Sequence, residues 1–142
     1  MISTSSVLGF LRRKKPADHI ERGAHGEKLA CRFLRKNGYK VLYRNFRGRR
    51  GGEIDIVCRD KDTLVFVEVK TRTSQDYGRP LEGVHVDQQR RISRGGLAWL
   101  RMLDDPDIVF RFDVVEVVLS ERSKPELELI QNAFQLPKPY MY

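Results

Sequence analysis

No apolar stretch of this chain approaches the roughly 20 residues that a membrane-spanning helix needs. Cysteine is nearly absent. Cys31 and Cys58 are the two, too few for a disulfide framework. A secretory signal is missing as well, because the apolar patch Val7-Leu8-Gly9-Phe10-Leu11 precedes the basic run Arg12-Arg13-Lys14-Lys15 instead of following one. These absences argue against a helical membrane protein and a disulfide-stapled secreted one. They predict a cytoplasmic protein with both thiols reduced and buried. No segment repeats. The loop Arg47-Gly48-Arg49-Arg50-Gly51-Gly52 is rich in glycine but lacks the Lys-Ser/Thr ending of a P-loop, so it is not read as a nucleotide-binding loop.

Acidic residues are scarce at one end. Residues 1–50 carry 14 Lys/Arg against 3 Asp/Glu, a net of +11, whereas residues 51–142 carry 13 against 16, a net of −3. So lopsided a charge favours a polyanionic partner, most simply nucleic acid, with DNA preferred. A solvated basic surface is the plain alternative. An acidic membrane surface is a weaker third, since the arginines do not lie on a helix with a bulky apolar face. The 142 residues, 40% of them hydrophobic, suffice for one domain with a modest core.

Residues 1–21, with a serine cluster, the basic run and Pro16, read as a loosely ordered basic arm. A domain is expected over 22–136 and a short tail over 137–142. Gly23 to Asn37 predicts a helix: Ala30, Phe33, Leu34 and Asn37 recur at three-and-four spacing, and Gly38 ends it. Glu27 is in phase with positions 30, 31 and 34, which aims it at the sheet; the plain reading is a first-turn glutamate favoured by the helix dipole. Tyr39–Phe46 alternates as a strand, and two strands of a hairpin follow. Tyr77–Pro80 is a loop. Asp87 is the expected N-cap of a helix from Gln88 to about Met102, with Ile92, Gly96, Trp99, Leu100 and Leu103 buried and Gly95-Gly96 permitting close packing. Gln88 shares the phase of Ile92 and Trp99 and so points at the sheet. Arg90, Arg94 and Arg101 form a basic stripe, suited to a nucleic-acid backbone or to plain solvation. Ile108–Leu119 is an apolar interior strand, and Leu127–Leu136 an edge strand. This order predicts an α/β layered fold with a mixed central sheet flanked by helices.

The stretch Gly52–Arg72, GEIDIVCRDKDTLVFVEVKTR, places charges where strands favour apolar side chains. By alternation, Glu53, Asp55 and Val57 share a face of the first strand. Leu64, Phe66, Glu68 and Lys70 share a face of the second, with Val65, Val67 and Val69 opposite. A turn at Asp60-Lys61 gives partners whose numbers sum to 121 and sets Asp55 diagonal to Glu68. A register summing to 123 sets the two directly opposite. Either way the carboxylates share a face within about 8 Å. Their repulsion raises both pKa values unless a cation lies between them. Lys70 supplies part of that cation and a divalent metal would supply more.

Phosphodiester cleavage needs a deprotonated water, neutralisation of charge on the phosphorane and help for the leaving oxygen. One or two Mg²⁺ or Mn²⁺ ions held by carboxylates do most of this, and Mg²⁺ favours a few carboxylates plus waters and phosphate oxygens. Asp55 and Glu68 are the candidate ligand pair, with the backbone carbonyl of Val69 beside them. Lys70 would position the water, stabilise charge or act as base. Glu27 would hold a second ion or orient a water. Arg47, Arg49, Arg50, Arg72, Arg90 and Arg94 are candidate nucleic-acid contacts. The plain alternative is an ion-pair ladder on a wet sheet face, worth roughly 0–1 kcal/mol per pair. Leu64 and Phe66 on the same face argue against it, as do Glu27 and Gln88 aimed at the sheet from two helices.

Asp55 followed by Glu68-Val69-Lys70 is similar to the PD-(D/E)XK nuclease signature, a short motif here without its Pro before Asp55. The wider pattern adds Gly26-Glu27, Gly38-Tyr39, Arg44-Asn45, Gly52-Glu53-Ile54-Asp55, the run from Val65 to Arg72, Arg111-Phe112-Asp113-Val114-Val115 and Asn132-Ala133-Phe134. With these, residues 22–136 resemble the YraN-like family of bacterial proteins, which is regarded as endonuclease-like and similar in fold to archaeal Holliday-junction resolvases. The resemblance implies a restriction-endonuclease-like three-layer fold of order αβββαβ and an endonuclease acting on DNA, including branched or flapped forms. It places Glu27, Asp55, Glu68 and Lys70 at the site. A resolvase-like role would suit a two-fold dimer. Where the family commonly has lysine at the start of the second helix, this chain has Gln88, which can hydrogen-bond a water or phosphate but brings no charge. Alternatives from other classes are a catalytically inactive nucleic-acid-binding protein and a basic protein-interaction domain.

Overall fold

The computed structural model describes residues 16–73, 84–105 and 107–140. Helix α1 (Pro16–Lys36) leads into β1 (Lys40–Arg47), β2 (Glu53–Asp60) and β3 (Thr63–Thr73). Helix α2 (Val86–Met102), β4 (Val109–Leu119) and β5 (Glu126–Phe134) follow. The strands form one mixed sheet in the order β1-β2-β3-β4-β5. Only β3 and β4 pair in parallel, and α2 lies between them in sequence, as a parallel crossover requires. The last strand is an edge strand, as its half-polar sequence predicts.

Alternation along β3 sorts the core. Val65 and Val67 pack with Ala30, Cys31 and Leu34 of α1. Leu64 and Phe66 pack with Ile92, Leu97 and Leu100 of α2. One helix therefore covers each face, giving an α/β/α sandwich. Gly95 and Gly96 bring α2 down onto the sheet: a Cβ on Gly95 would lie 2.9 Å from the Glu53 carbonyl carbon, and one on Gly96 3.2 Å from the Phe66 ring. Trp99, expected in the core, is only half-buried and meets Phe46 edge-on at 5.1 Å.

Helix α1 begins at Pro16 rather than Gly23, so residues 16–21 are helical and not part of a loose arm. Proline suits the first helical turn, where its missing N–H has no partner to lose. Arg12–Lys15 and Tyr77–Pro80 lie outside the described residues. The N-cap of α2 is His85, not Asp87: His85 Nδ1 accepts the Asp87 N–H at 3.2 Å. Asp87 instead occupies the first turn, where negative charge suits the helix dipole. In the β2–β3 hairpin Asp60 pairs with Thr63, so partners sum to 123 and the turn is Lys61-Asp62, with Lys61 at φ 54. Asp60 also accepts from Arg111 Nη2 at 2.9 Å, which anchors it in the ladder.

The motif residues Arg111, Asp113 and Asn132 serve the fold. Asp113 is fully buried. It accepts from Tyr39 Oη at 3.0 Å, from Arg111 Nε at 3.0 Å and from the Asn132 N–H at 2.9 Å. Gln131 Nε2 donates to Tyr39 Oη at 2.7 Å. Asn132 adopts φ 52 to reach this network. Among the described residues no helix is long and apolar enough to cross a membrane.

Candidate active site

Strand alternation fails near the start of β2, and the failure builds a cleft. The pairs Arg44↔Ile56 and Phe46↔Ile54 flank Asn45 and Asp55. Ile56 belongs to the α1-side core, yet Ile54, two residues away, belongs to the α2-side core with Val57. The expected face of Glu53, Asp55 and Val57 is therefore broken by a kink. Asn45 sits in that kink at φ 55, a conformation that asparagine tolerates better than most residues. The β2–β3 ladder ends at Ile56↔Val67. Beyond it, Asp55 Oδ2 accepts the Val69 N–H at 2.8 Å. In a strand the N–H and C=O of one residue face the same neighbour, so the Val69 carbonyl also opens towards Asp55.

Asp55 and Glu68 meet in this gap, each close enough to shift the other's titration. Burial, joined by the Asp55 charge, pushes Glu68 up to about 8. Asp55 is also raised, first by burial, with the Val69 N–H acting against it. Arg91 of α2 brings Nη2 to 3.8 Å from Glu68, whose side chain is 12% exposed. Lys70 Nζ donates to Gln88 Oε1 at 2.9 Å. Gln88 thus reaches the sheet beside Glu68, as its helical phase predicts.

Glu27 approaches from α1. Gly26, its neighbour, lies so close to Thr71 that no Cβ would fit, which sets the helix against β3 and the carboxylate at the cleft wall. With its amide nitrogen turned to the carboxylate, Asn45 lies 3.1 and 3.2 Å from the two Glu27 oxygens. Arg44 stands 4.0 Å away. Burial first, then the Asp55 charge, raises the Glu27 pKa. Glu27, Asp55, Glu68 and Val69 line one open cleft of about 390 Å³.

The arginines divide. Arg72 lines the same cleft but pairs with Glu116 of β4, a carboxylate 4% exposed. Arg90 stands on the outer face, 3.7 Å from Asp87. Arg47, Arg49, Arg50 and Arg94 gather at a different cleft, with Arg94 Nη1 bonded to Tyr140 Oη at 3.3 Å. Two residues of the site region carry no motif in the sequence. Arg91 follows Gln88 by three positions and so shares its helix face, which is its one sequence signal, and Glu116 is embedded in an apolar strand. Asn45 stands in the Arg44-Asn45 motif, but its part in the site comes from a backbone kink.

Among the described residues no three His, Cys, Asp or Glu side chains converge into a metal-holding cluster. The acidic donors come as a pair, Asp55 and Glu68, with Glu27 tied to Asn45 at the wall. Two carboxylates with a carbonyl beside them fit Mg²⁺ or Mn²⁺, which keep waters and substrate oxygens in their remaining positions.

The family profile described as uncharacterised protein family UPF0102 matches residues 26–117. A UPF0102 protein of Geobacter metallireducens is 51% identical over 114 residues, covering 80% of this chain and 92% of that relative. One from Acetivibrio thermocellus is 45% identical over 134 residues, covering 92% and 99%. The matched span holds Glu27, Asp55, Glu68, Lys70 and Glu116. The chain belongs to the UPF0102 family.

Proposed function

We propose that this chain is a metal-dependent endonuclease of the restriction-endonuclease-like fold, hydrolysing phosphodiester bonds in DNA. The observation that carries the reading is the adjacent Asp55–Glu68 pair, half-buried at the head of an open cleft where two strands part. Two carboxyls held against each other do nothing for packing, and a divalent cation relieves their repulsion. The α/β/α layering with the pair beside the β3–β4 crossover is consistent with the fold named.

Asp55, Glu68 and the Val69 carbonyl would hold Mg²⁺ or Mn²⁺, which supplies Lewis-acid charge for phosphoryl oxygens. Asp55 is preorganised, because the Val69 N–H fixes its carboxylate. Lys70, held by Gln88, would direct its ammonium at a phosphate oxygen or at the attacking water. Glu27, steadied by Asn45, would accept a proton from that water across the cleft. Arg91 balances the charge of Glu68 from the helix side. The cytoplasm is the proposed location, and a two-fold dimer would present two such clefts to a branched substrate.

Incubating linear, flapped and four-way DNAs with Mg²⁺ or Mn²⁺ tests the reading. Cleavage that disappears in Asp55→Asn and Glu68→Gln supports it. Cleavage indifferent to both substitutions, or none on any substrate with either ion, overturns it. A second reading, nucleic-acid binding without cleavage, draws on Gln88, whose neutral amide faces Lys70 where the resemblance implies a lysine. Binding of the same DNAs with no product under any condition would select it.

A further inference from the structure

A second cleft, of about 730 Å³, lies between the β1–β2 loop and α2. Its wall is apolar at Phe46, Leu97, Ala98 and Met102, the last 62% exposed. Five guanidiniums, Arg47, Arg49, Arg50, Arg94 and Arg101, surround that apolar surface, and among the described residues no carboxylate lines it. Among the described residues, Arg47, Arg49, Arg50 and Arg101 form no salt bridge. The loop that carries Arg49 and Arg50, directly after Arg47 at the end of β1, is folded on itself, with the Gly48 N–H on the Gly52 carbonyl at 3.1 Å and the Gly51 N–H on the Gly48 carbonyl at 3.2 Å. Gly51 and Gly52 take φ 93 and 86, and Gly52 abuts Gly95 of α2 too closely for any side chain. The arginines therefore stand on a seated loop.

An ordinary solvated basic face has no such hollow. Apolar surface ringed by unpaired cations is complementary to a planar, apolar-faced group that carries negative charge at its edge. A nucleobase with its phosphates is that group. Intact duplex offers the arginines its phosphates but keeps its bases stacked away from the apolar wall. The volume falls within the roughly 300–1,000 Å³ of small-ligand sites.

Helix α2 joins this cleft to the first. Positions 91, 94, 98 and 101 follow three-four-three spacing along one stripe. Arg91 reaches Glu68, while Arg94, Ala98 and Arg101 line the second cleft. At about 1.5 Å of rise per residue, Arg101 lies about 15 Å along the helix from Arg91. That is about four nucleotides of a stacked strand at about 3.4 Å each.

We infer that this cleft binds an unpaired nucleotide of a single strand, its base on the Phe46–Met102 surface and its phosphates on the surrounding arginines. The four-nucleotide spacing to the cut rests on the nuclease reading; the binding itself does not.

The test is fluorescence anisotropy of labelled single-stranded DNA, single-stranded RNA and duplex DNA on the full chain, without divalent metal. A single strand of either sugar binding at least about tenfold tighter than duplex at about 0.1 M salt is expected. Met102→Glu should abolish that preference with thermal unfolding unchanged, since Met102 is largely exposed. The double variant Arg49→Glu, Arg101→Glu should weaken single-strand binding by at least about tenfold. Equal affinity for single strand and duplex, or a preference that survives Met102→Glu, overturns the inference. A single-strand preference without cleavage would sink the nuclease reading alone. Cleavage with no strand preference would sink this inference alone.

Discussion

Asp55 Oδ2 accepts the backbone N–H of Val69 at 2.8 Å where the β2–β3 ladder stops. One bond satisfies a strand donor that has lost its carbonyl partner and also fixes a carboxylate at the cleft. Asp55→Ala leaves that N–H unpaired and should cost about 1–3 kcal/mol. Asp55→Asn keeps an acceptor and should cost less than Asp55→Ala. Urea unfolding of the two variants gives both values, and equal losses would assign Asp55 no role in holding Val69.

Glu68 should make the metal-free chain less stable as pH rises. Its folded pKa of about 8 lies above its ordinary 4.5, so the folded state holds the proton longer than the unfolded one. The associated stability is fully present below about pH 4.5 and is lost as pH climbs through about 8. In chelator, Glu68→Gln should therefore melt several degrees above wild type at pH 8, and the gap should shrink towards pH 5. Mn²⁺ should close the gap at pH 8 by raising the wild type and not the variant. A melting difference independent of pH would count against the close carboxyl pair.

Lys70 and Gln88 should separate in degree. Lys70→Ala removes the ammonium and should lower cleavage by about 10²-fold or more. Gln88→Ala removes only what orients it and should lower cleavage by about tenfold. Single-turnover rates on the best DNA of the panel measure both, with the Mn²⁺-induced melting shift as a check that the carboxylates remain in place.

The Asp113 network should matter to stability and not to metal. Asp113→Ala strips a buried partner from Arg111, Tyr39 and the Asn132 N–H. A loss of about 3–5 kcal/mol is expected, read by urea unfolding. The Mn²⁺-induced melting shift should persist in whatever fraction folds.

Cys58 should stay silent to thiol reagents. Burial pushes its thiol up to about 12, so the nucleophilic thiolate is scarce at neutral pH. Labelling at pH 8 should wait on unfolding, and fast native labelling would show the core to be open there.

The two helices and five strands of the described residues were legible because apolar spacing is local: each element announces its period within its own residues. The same locality exposed Asp55, Glu68 and Lys70, since alternation and a short hairpin leave few registers. Helical phase exposed Glu27 and Gln88. Legibility ended where a decision depended on residues far apart in the chain. Asn45 and Asp55 kink together, so Ile54 leaves the face that alternation assigns to it. Arg72, read as free to touch nucleic acid, meets Glu116 from a strand more than forty residues away. Arg111 and Asn132 stand in a family-like motif yet brace the fold.

The sequence by itself determined the order of elements, the basic charge and the acidic hairpin. Tertiary structure alone decided that β2 and β3 part at Asp55, that Arg91 faces Glu68, and that Arg47, Arg49 and Arg50 surround an apolar hollow with Arg94 and Arg101. Periodicity is a property of one segment, whereas a cleft exists only where separate segments fail to close on one another.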